Sequence, residues 1–248
     1  MTLVQRCTLI ILCSLTWTVS ANTALYQHAQ AVGQTMSALY MQGLSEGNAK
    51  YERDLEFFKQ QASETLVKYL KGNPKNSDEL LGSWNTLKTK IKATYSQEFG
   101  WDVDSAVRRD FRTYLSVMYQ RSLAEIKPDS PALEQYQFAL VQMESVIARF
   151  FDISSVYNGT YSLSNSDLSM LDPKTVSEEF KQSIDTLMKL SGKGQTSRDL
   201  KSAKYKWEFI EESVVNYSDQ SAFFLVYATK NKIQKVLSAG QVLLTDNN

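Results

Sequence analysis

Histidine and cysteine, on which most soft-metal and nucleophilic sites depend, are nearly absent from this sequence. Its 248 residues include one histidine, His28, and two cysteines, Cys7 and Cys13. A zinc site takes several histidine or cysteine ligands, and a Ser-His-Asp triad needs a histidine beside its nucleophile. We therefore predict no catalytic residues, no metal and no cofactor. We interpret His28 as a helix residue at the edge of the core rather than as a ligand.

A net charge is also lacking. Lysine and arginine together number 27, and aspartate and glutamate also number 27. A balanced surface gives no long-range attraction to phosphate groups. The sequence therefore predicts neither a nucleic-acid partner nor attachment to an anionic membrane.

The apolar stretch at the N-terminus, Cys7–Trp17, is too short to span a bilayer. It follows Arg6 and precedes the small residues Val19-Ser20-Ala21, which is the pattern of a secretory signal peptide. We predict that residues 1–21 are removed after Ala21 and that the mature chain is periplasmic or secreted, with no stable membrane span. An uncleaved anchor is the alternative. Because both cysteines leave with the signal peptide, we expect no disulfide bond.

Beyond the signal peptide, apolar residues recur every three or four positions, which is typical of amphipathic helices. The predicted fold class is all-α, with about eight helices. The apolar series of these helices begin at Leu25, Tyr51, Leu80, Val107, Ala139, Val176, Leu200 and Phe223. Tyr95 is predicted on the inner face of the third helix. The predicted helix starts are Asn76 or Ser77, Asp102 or Asp104, Asp172 with Pro173, and Ser197.

The two halves of the chain also match in residue identity. Trp84 corresponds to Trp207, and nearby residues match at almost the same spacing. The segment Lys127–Pro131 holds two of the four prolines and is the natural hinge. We therefore predict a tandem duplication of an antiparallel four-helix unit, at residues 22–127 and 128–248. The alternative is two unrelated sets of helices that share only their periodicity.

Aromatic residues fall in or beside the third helix of each predicted unit: Trp84 and Tyr95 in the first, Trp207 and Tyr217 in the second. One interpretation is that the tryptophans pack the two cores. The other is that the bundle interior, or a groove between the units, holds a small ligand against these rings. The sequence alone leaves both interpretations open.

Arginines offer candidate contacts to an anion: Arg108, Arg109, Arg112 and Arg149. Arg149 lies off the apolar series of its helix and three residues before Asp152. This spacing predicts an ion pair within one helix, and we place that pair on the surface.

An exported tandem of four-helix units resembles the periplasmic sensory module of nitrate/nitrite sensor kinases and of type IV pili methyl-accepting transducers. Members typically carry a Gly-Arg-Gln-Arg-Met run in the first helix, whose arginines clamp an anion. The nearest run here is Gly33-Gln34-Thr35-Met36, in which Gln34 and Met36 match while Gly33 and Thr35 stand in place of the arginines. The resemblance implies a ligand-binding sensory fold and makes Gln34 a candidate contact. It does not carry over the arginine clamp.

These observations predict a soluble, non-catalytic periplasmic accessory that senses or binds a small molecule. The first alternative is a cell-envelope module that binds another protein, with a homodimer compatible with either reading. The second alternative is an unrecognised hydrolase. Adjacent carboxylates such as Glu178-Glu179 point about 100° apart on a helix and do not converge on one site, which disfavours the hydrolase.

Overall fold

The computed structural model describes residues 3–73, 77–97, 100–155, 170–216 and 222–245. Within these ranges the chain forms eight helices and one short β-hairpin, so the predicted all-α class is confirmed. The helices are α1 (Leu3–Leu44), α2 (Ala49–Gly72), α3 (Ser77–Lys90), α4 (Ser105–Glu125), α5 (Ala132–Ser154), α6 (Pro173–Leu190), α7 (Gln195–Asn216) and α8 (Phe223–Thr245). The strands are β1 (Thr94–Ser96) and β2 (Gly100–Asp102).

Helices α1 and α5 lie side by side at the centre of the fold. Helix α5 packs against α1, α4, α6, α7 and α8, while α1 also packs against α2 and α4. Every residue from Glu134 to Asp152 is buried, whereas an ordinary surface helix buries only one face. The polar side chains of α5 therefore need partners inside the protein.

Helix starts follow local sequence signals closely. The Asp104 carboxylate accepts hydrogen bonds from the backbone N–H groups of Ala106 (2.9 Å) and Val107 (3.2 Å), so this residue is the N-cap of α4. Asp172 caps α6 in the same way, and Pro173 occupies the first turn. Both caps agree with the prediction. The prediction of Ser197 is wrong, because α7 begins at Gln195 and includes this serine.

The third helix ends earlier than predicted. Helix α3 stops at Lys90, and Tyr95 lies in β1, where it pairs with Trp101 of β2. The prediction of Tyr95 on the inner face of a helix is therefore wrong. Thr94 and Tyr95 favour extended backbone, and Gly100 adopts a left-handed conformation (φ 69°) that glycine tolerates best.

The two predicted units share one core in this structure. Of the described helices, α1 from residue 22 onward and α2–α4 fall in the first unit, and α5–α8 fall in the second. A single cluster of buried apolar residues contains members of both. The tandem duplication and the division at residue 127 stay predictions.

Helix α1 passes the predicted cleavage point after Ala21 without a break. Among the described residues, no helix has both the length and the hydropathy that crossing a bilayer requires. Signal cleavage stays a prediction.

Gly33 allows α1 to approach α5 closely. A Cβ at this position would lie 2.9 Å from the Cβ of Glu144 and 3.1 Å from the carbonyl carbon and oxygen of the same residue. Backbone atoms of a fully packed helix cannot move away cheaply. Gly82 in α3 is the opposite case, since a Cβ there would meet no atom within 4 Å.

We therefore expect Gly33→Ala to lower the free energy of unfolding by about 1–3 kcal/mol, because overpacking exceeds the gain in helix propensity. Gly82→Ala is the matched control and should raise it by up to about 1 kcal/mol. Urea unfolding followed by circular dichroism measures both. Equal stabilisation by the two substitutions would contradict the close approach of α1 and α5.

Candidate functional site

Both predicted tryptophan contacts lie in the core. Trp84 and Trp207 are fully buried. The indole N–H of Trp84 donates to Ser63 Oγ of α2 (2.9 Å), and that of Trp207 donates to Ser177 Oγ of α6 (3.0 Å). Each ring fills space between helices and has its polar group satisfied by a serine. Neither lines any of the described clefts discussed below.

Gln34 is also buried, in a polar cluster between α1, α5 and α8. Its amide nitrogen donates to Glu144 Oε1 (3.4 Å), and Lys230 Nζ lies 3.0 Å from the other oxygen of that carboxylate. Burial raises the pKa of Glu144, and the Lys230 ammonium and the Gln34 amide oppose this rise. The cluster satisfies polar groups that the packing of α5 removes from water.

Tyr95 is exposed on the hairpin, where its ring contacts Trp101. Tyr217 lies outside the described residues. The four described candidates, Gln34, Trp84, Tyr95 and Trp207, therefore have separate surroundings, and the structure does not bring them into one site.

A second buried polar cluster surrounds Asp152. Its carboxylate accepts hydrogen bonds from the Tyr40 hydroxyl (2.8 Å) of α1 and from Arg112 Nε (2.8 Å) of α4. It also pairs with Arg149 of α5, and Arg108 NH1 lies 3.8 Å away. Burial raises the pKa of Tyr40, and the neighbouring Asp152 carboxylate adds to this rise.

The predicted partner of Arg149 is correct, but its predicted surface position is wrong. The Arg149 side chain is fully buried, and its Nε donates to the backbone carbonyl of Met170 (3.1 Å). The i, i+3 spacing indicated the ion pair, whereas burial of the whole circumference of α5 was not visible in the sequence. Of the other arginines, Arg112 and Arg108 are buried in this cluster, while Arg109 is exposed.

The outer end of the arginine cluster reaches the β-hairpin. Arg108 NH2 donates to Asp102 Oδ1 of β2 (2.7 Å), and Arg108 Nε donates to the carbonyl of Val103 (3.0 Å). The Arg108 guanidinium also lies over the Tyr40 ring, 4.7 Å from its centre. The cluster thus joins α1, α4, α5 and the hairpin through charged hydrogen bonds.

We expect Asp152→Asn to lower the free energy of unfolding by about 3–5 kcal/mol, because the buried guanidiniums lose their shared counter-charge while the shape is kept. The control is Asp185→Asn, which removes the partner of Lys204 (2.7 Å) at a site where the aspartate is 45 % exposed. That change should cost less than about 1 kcal/mol. Urea unfolding measures both, and equal small losses would show that the buried charge of Asp152 is dispensable.

An open cleft of about 680 Å³ lies between α3 and α4. Its apolar surface comes from Leu80, Leu87, Tyr114 and Val117. Polar and charged side chains complete the lining: Asp78, Glu79, Ser83, Thr86, Arg109, Asp110, Thr113 and Arg121. Gly82 also lines it, and a Cβ added at this glycine would meet no atom within 4 Å.

One lining residue of the cleft is a glycine within a helix. A glycine inside a helix costs about 1 kcal/mol relative to alanine, and position 82 has room for a larger side chain beside the cleft. Sequence reasoning identified neither Gly82 nor Arg121 as a site residue. The signal available was the unusual glycine within an otherwise regular helical series.

His28 lies directly behind the cleft and does not open into it. Its Nδ1 donates to the backbone carbonyl of Ala62 (2.8 Å), which can only accept, so the other ring nitrogen accepts from the Tyr114 hydroxyl (2.9 Å). The imidazole is fully buried against the Trp84 and Tyr114 rings. Histidine therefore supports the wall of the cleft through Tyr114.

Comparison with protein-family models, with curated proteins and with solved structures finds no match to this chain. The resemblance to periplasmic sensory modules stays a prediction. Across the described residues, no group of three or more histidine, cysteine, aspartate or glutamate side chains is arranged to hold a metal ion.

Burial lowers the pKa of His28 from 6.5 to about 4, because the enclosed site disfavours the charged imidazolium. Between these two values the unfolded chain binds a proton that the folded protein does not. The free energy of unfolding should therefore fall as the pH drops from 6.5 to about 4, by about 3 kcal/mol in all. Urea unfolding at pH 7 and pH 5 measures about 2 kcal/mol of this loss.

The control for the histidine is His28→Gln, which keeps a polar side chain but cannot titrate in this range. Carboxylates contribute the same pH dependence to both proteins, so the difference between the two slopes isolates the imidazole. Parallel slopes would contradict the assignment of a neutral His28.

Proposed function

We propose that this protein is an exported, non-catalytic accessory that binds a small molecule in the cleft between α3 and α4. The observation that carries the proposal is the cleft itself. Its volume of about 680 Å³ falls within the range of small-molecule sites, and it combines an apolar surface with a few polar groups. The enclosed, hydrogen-bonded state of His28 supports a binding role over a catalytic one.

The lining favours a small zwitterion with an apolar body. Tyr114 and Leu87 supply apolar contact, and side chains of both charges surround them. The Arg121 guanidinium has no carboxylate within ion-pair distance in the part of the chain that the structure describes, so it is available to a ligand carboxylate. Asp78 and Glu79, in the first turn of α3, lie on the same cleft and suit an ammonium group.

The first experiment fills the cleft without disturbing the fold. Amino acids, dipeptides and matched simple acids and amines are screened by thermal shift against the purified protein. A zwitterion at ten times its dissociation constant should raise the melting temperature by about 3–5 °C. Gly82→Trp should abolish this shift, because the indole occupies the cleft, whereas Gly82→Ala should keep it.

The second experiment removes the carboxylate partner. Arg121→Gln should weaken binding of the same zwitterion about tenfold or more, because a charged hydrogen bond is lost. Arg198→Gln on α7, which lies outside the cleft, is the control and should leave the affinity unchanged. A screen in which no compound shifts the wild-type protein, or a shift that survives Gly82→Trp, would contradict the proposal.

A further inference from the structure

Helices α7 and α8 form a groove of about 310 Å³ on a different part of the protein from the cleft. Ser202, Tyr205, Lys206 and Phe209 line it from α7, and Leu225, Thr229 and Lys232 line it from α8. On α7 the positions 202, 205 or 206, and 209 recur every three or four residues, as do 225, 229 and 232 on α8, so each set occupies one helix face. The volume lies at the lower end of small-molecule sites.

Large apolar side chains stand exposed along this groove. Phe209 is 68 % exposed, and Tyr205, one turn earlier on α7, and Leu225 on α8 are also exposed. Scattered apolar residues on a surface need no explanation, but adjacent ones along a groove are typical of a docking site. Tyr205 and Phe209, one turn apart on α7, face Leu225 of α8 across the groove, and such an apolar strip suits the apolar face of another helix.

The charges at this groove have one sign. Lys206 and Lys232 both line it, and no lining side chain is acidic. Lys201 adds a third positive charge, with its Nζ 5.6 Å from the centre of the Tyr205 ring. The nearest acidic residue along the helix, Glu208, acts on Lys204, which pairs with Asp185 of α6 on the other side. An occupant with carboxylates beside its apolar face would complement this arrangement.

We propose that the α7–α8 groove binds an acidic, amphipathic helical segment of a partner protein. Apolar side chains of that segment lie between Tyr205, Phe209 and Leu225, and its carboxylates pair with Lys206 and Lys232. A second copy of this chain is a poorer occupant, because a symmetric contact of the groove with itself would bring lysines against lysines. The inference is independent of ligand binding in the α3–α4 cleft.

The probe is a fluorescein-labelled synthetic helix of about 18 residues with leucines at i, i+3, i+4 and i+7 spacing and flanking glutamates. Fluorescence anisotropy measures its affinity for the full-length protein. Phe209→Ser should weaken binding at least tenfold. Phe57→Ser is the matched control, because Phe57 of α2 is 62 % exposed and lies outside the groove, and it should leave the affinity unchanged.

Charge reversal tests the sign of the partner. The double substitution Lys206→Glu and Lys232→Glu should weaken binding of the acidic helix tenfold or more. The same variant should bind more tightly a peptide in which lysines replace the glutamates. A groove that merely attracts apolar surface would bind both peptides equally before and after the change.

Several outcomes would overturn the inference. They are failure of the acidic helix to bind at millimolar concentration, equal losses from Phe209→Ser and Phe57→Ser, and equal binding of the acidic and basic peptides by the wild type. Loss of a dimer on Phe209→Ser, measured by light scattering, would assign the groove to a second copy instead. Binding to vesicles of anionic phospholipid that needs Phe209 would assign it to a membrane surface.

Discussion

The carboxylate of Asp152 lies where water cannot reach it, and side chains from three helices hold it there. Tyr40 of α1, Arg112 of α4 and Arg149 of α5 all contact the same two oxygens. Moving a charge out of water costs several kcal/mol, so the arrangement is tolerable only when all of its partners are in place. This requirement sets how α1, α4 and α5 lie against one another, and Arg108 extends it to the hairpin. About two helical turns away along both α1 and α5, the buried group of Glu144, Lys230 and Gln34 imposes a similar condition on α8.

Both candidate binding regions lie where neighbouring helices leave the space between them unfilled. In the α3–α4 cleft, small side chains such as Gly82, Ser83 and Thr113 lie among the lining residues. One wall of the cleft is held in place by a hydrogen bond between Tyr114, which lines it, and the buried His28. In the α7–α8 groove, exposed aromatic rings and lysines line the space between the helices and are not part of the buried core. The central pair of helices can therefore remain fixed while the outer helices carry different binding surfaces.

The parts of the structure that could be predicted depend on residues close together in the chain. The apolar spacing of Tyr51, Leu55 and Ala62 indicated α2, and the caps at Asp104 and Asp172 satisfy backbone groups within three residues. The partner of Arg149 was predicted for the same reason. Tyr95 has the spacing of the next apolar residue in the α3 series, which predicted a helix. Thr94 and the left-handed Gly100 favour a hairpin instead, and apolar spacing alone does not show this preference.

The sequence by itself determined the fold class, most helix positions and the scarcity of soft-metal chemistry, because these follow from local spacing and composition. Only the tertiary structure decided which side chains of α5 are buried, since that depends on how many neighbours surround the helix. It also decided that Trp84 and Trp207 fill the core while Gly82 and Arg121 border open space. A cleft exists only between surfaces that the fold brings together, and a single glycine within a helix, such as Gly82, does not show which neighbouring helix lies beside it.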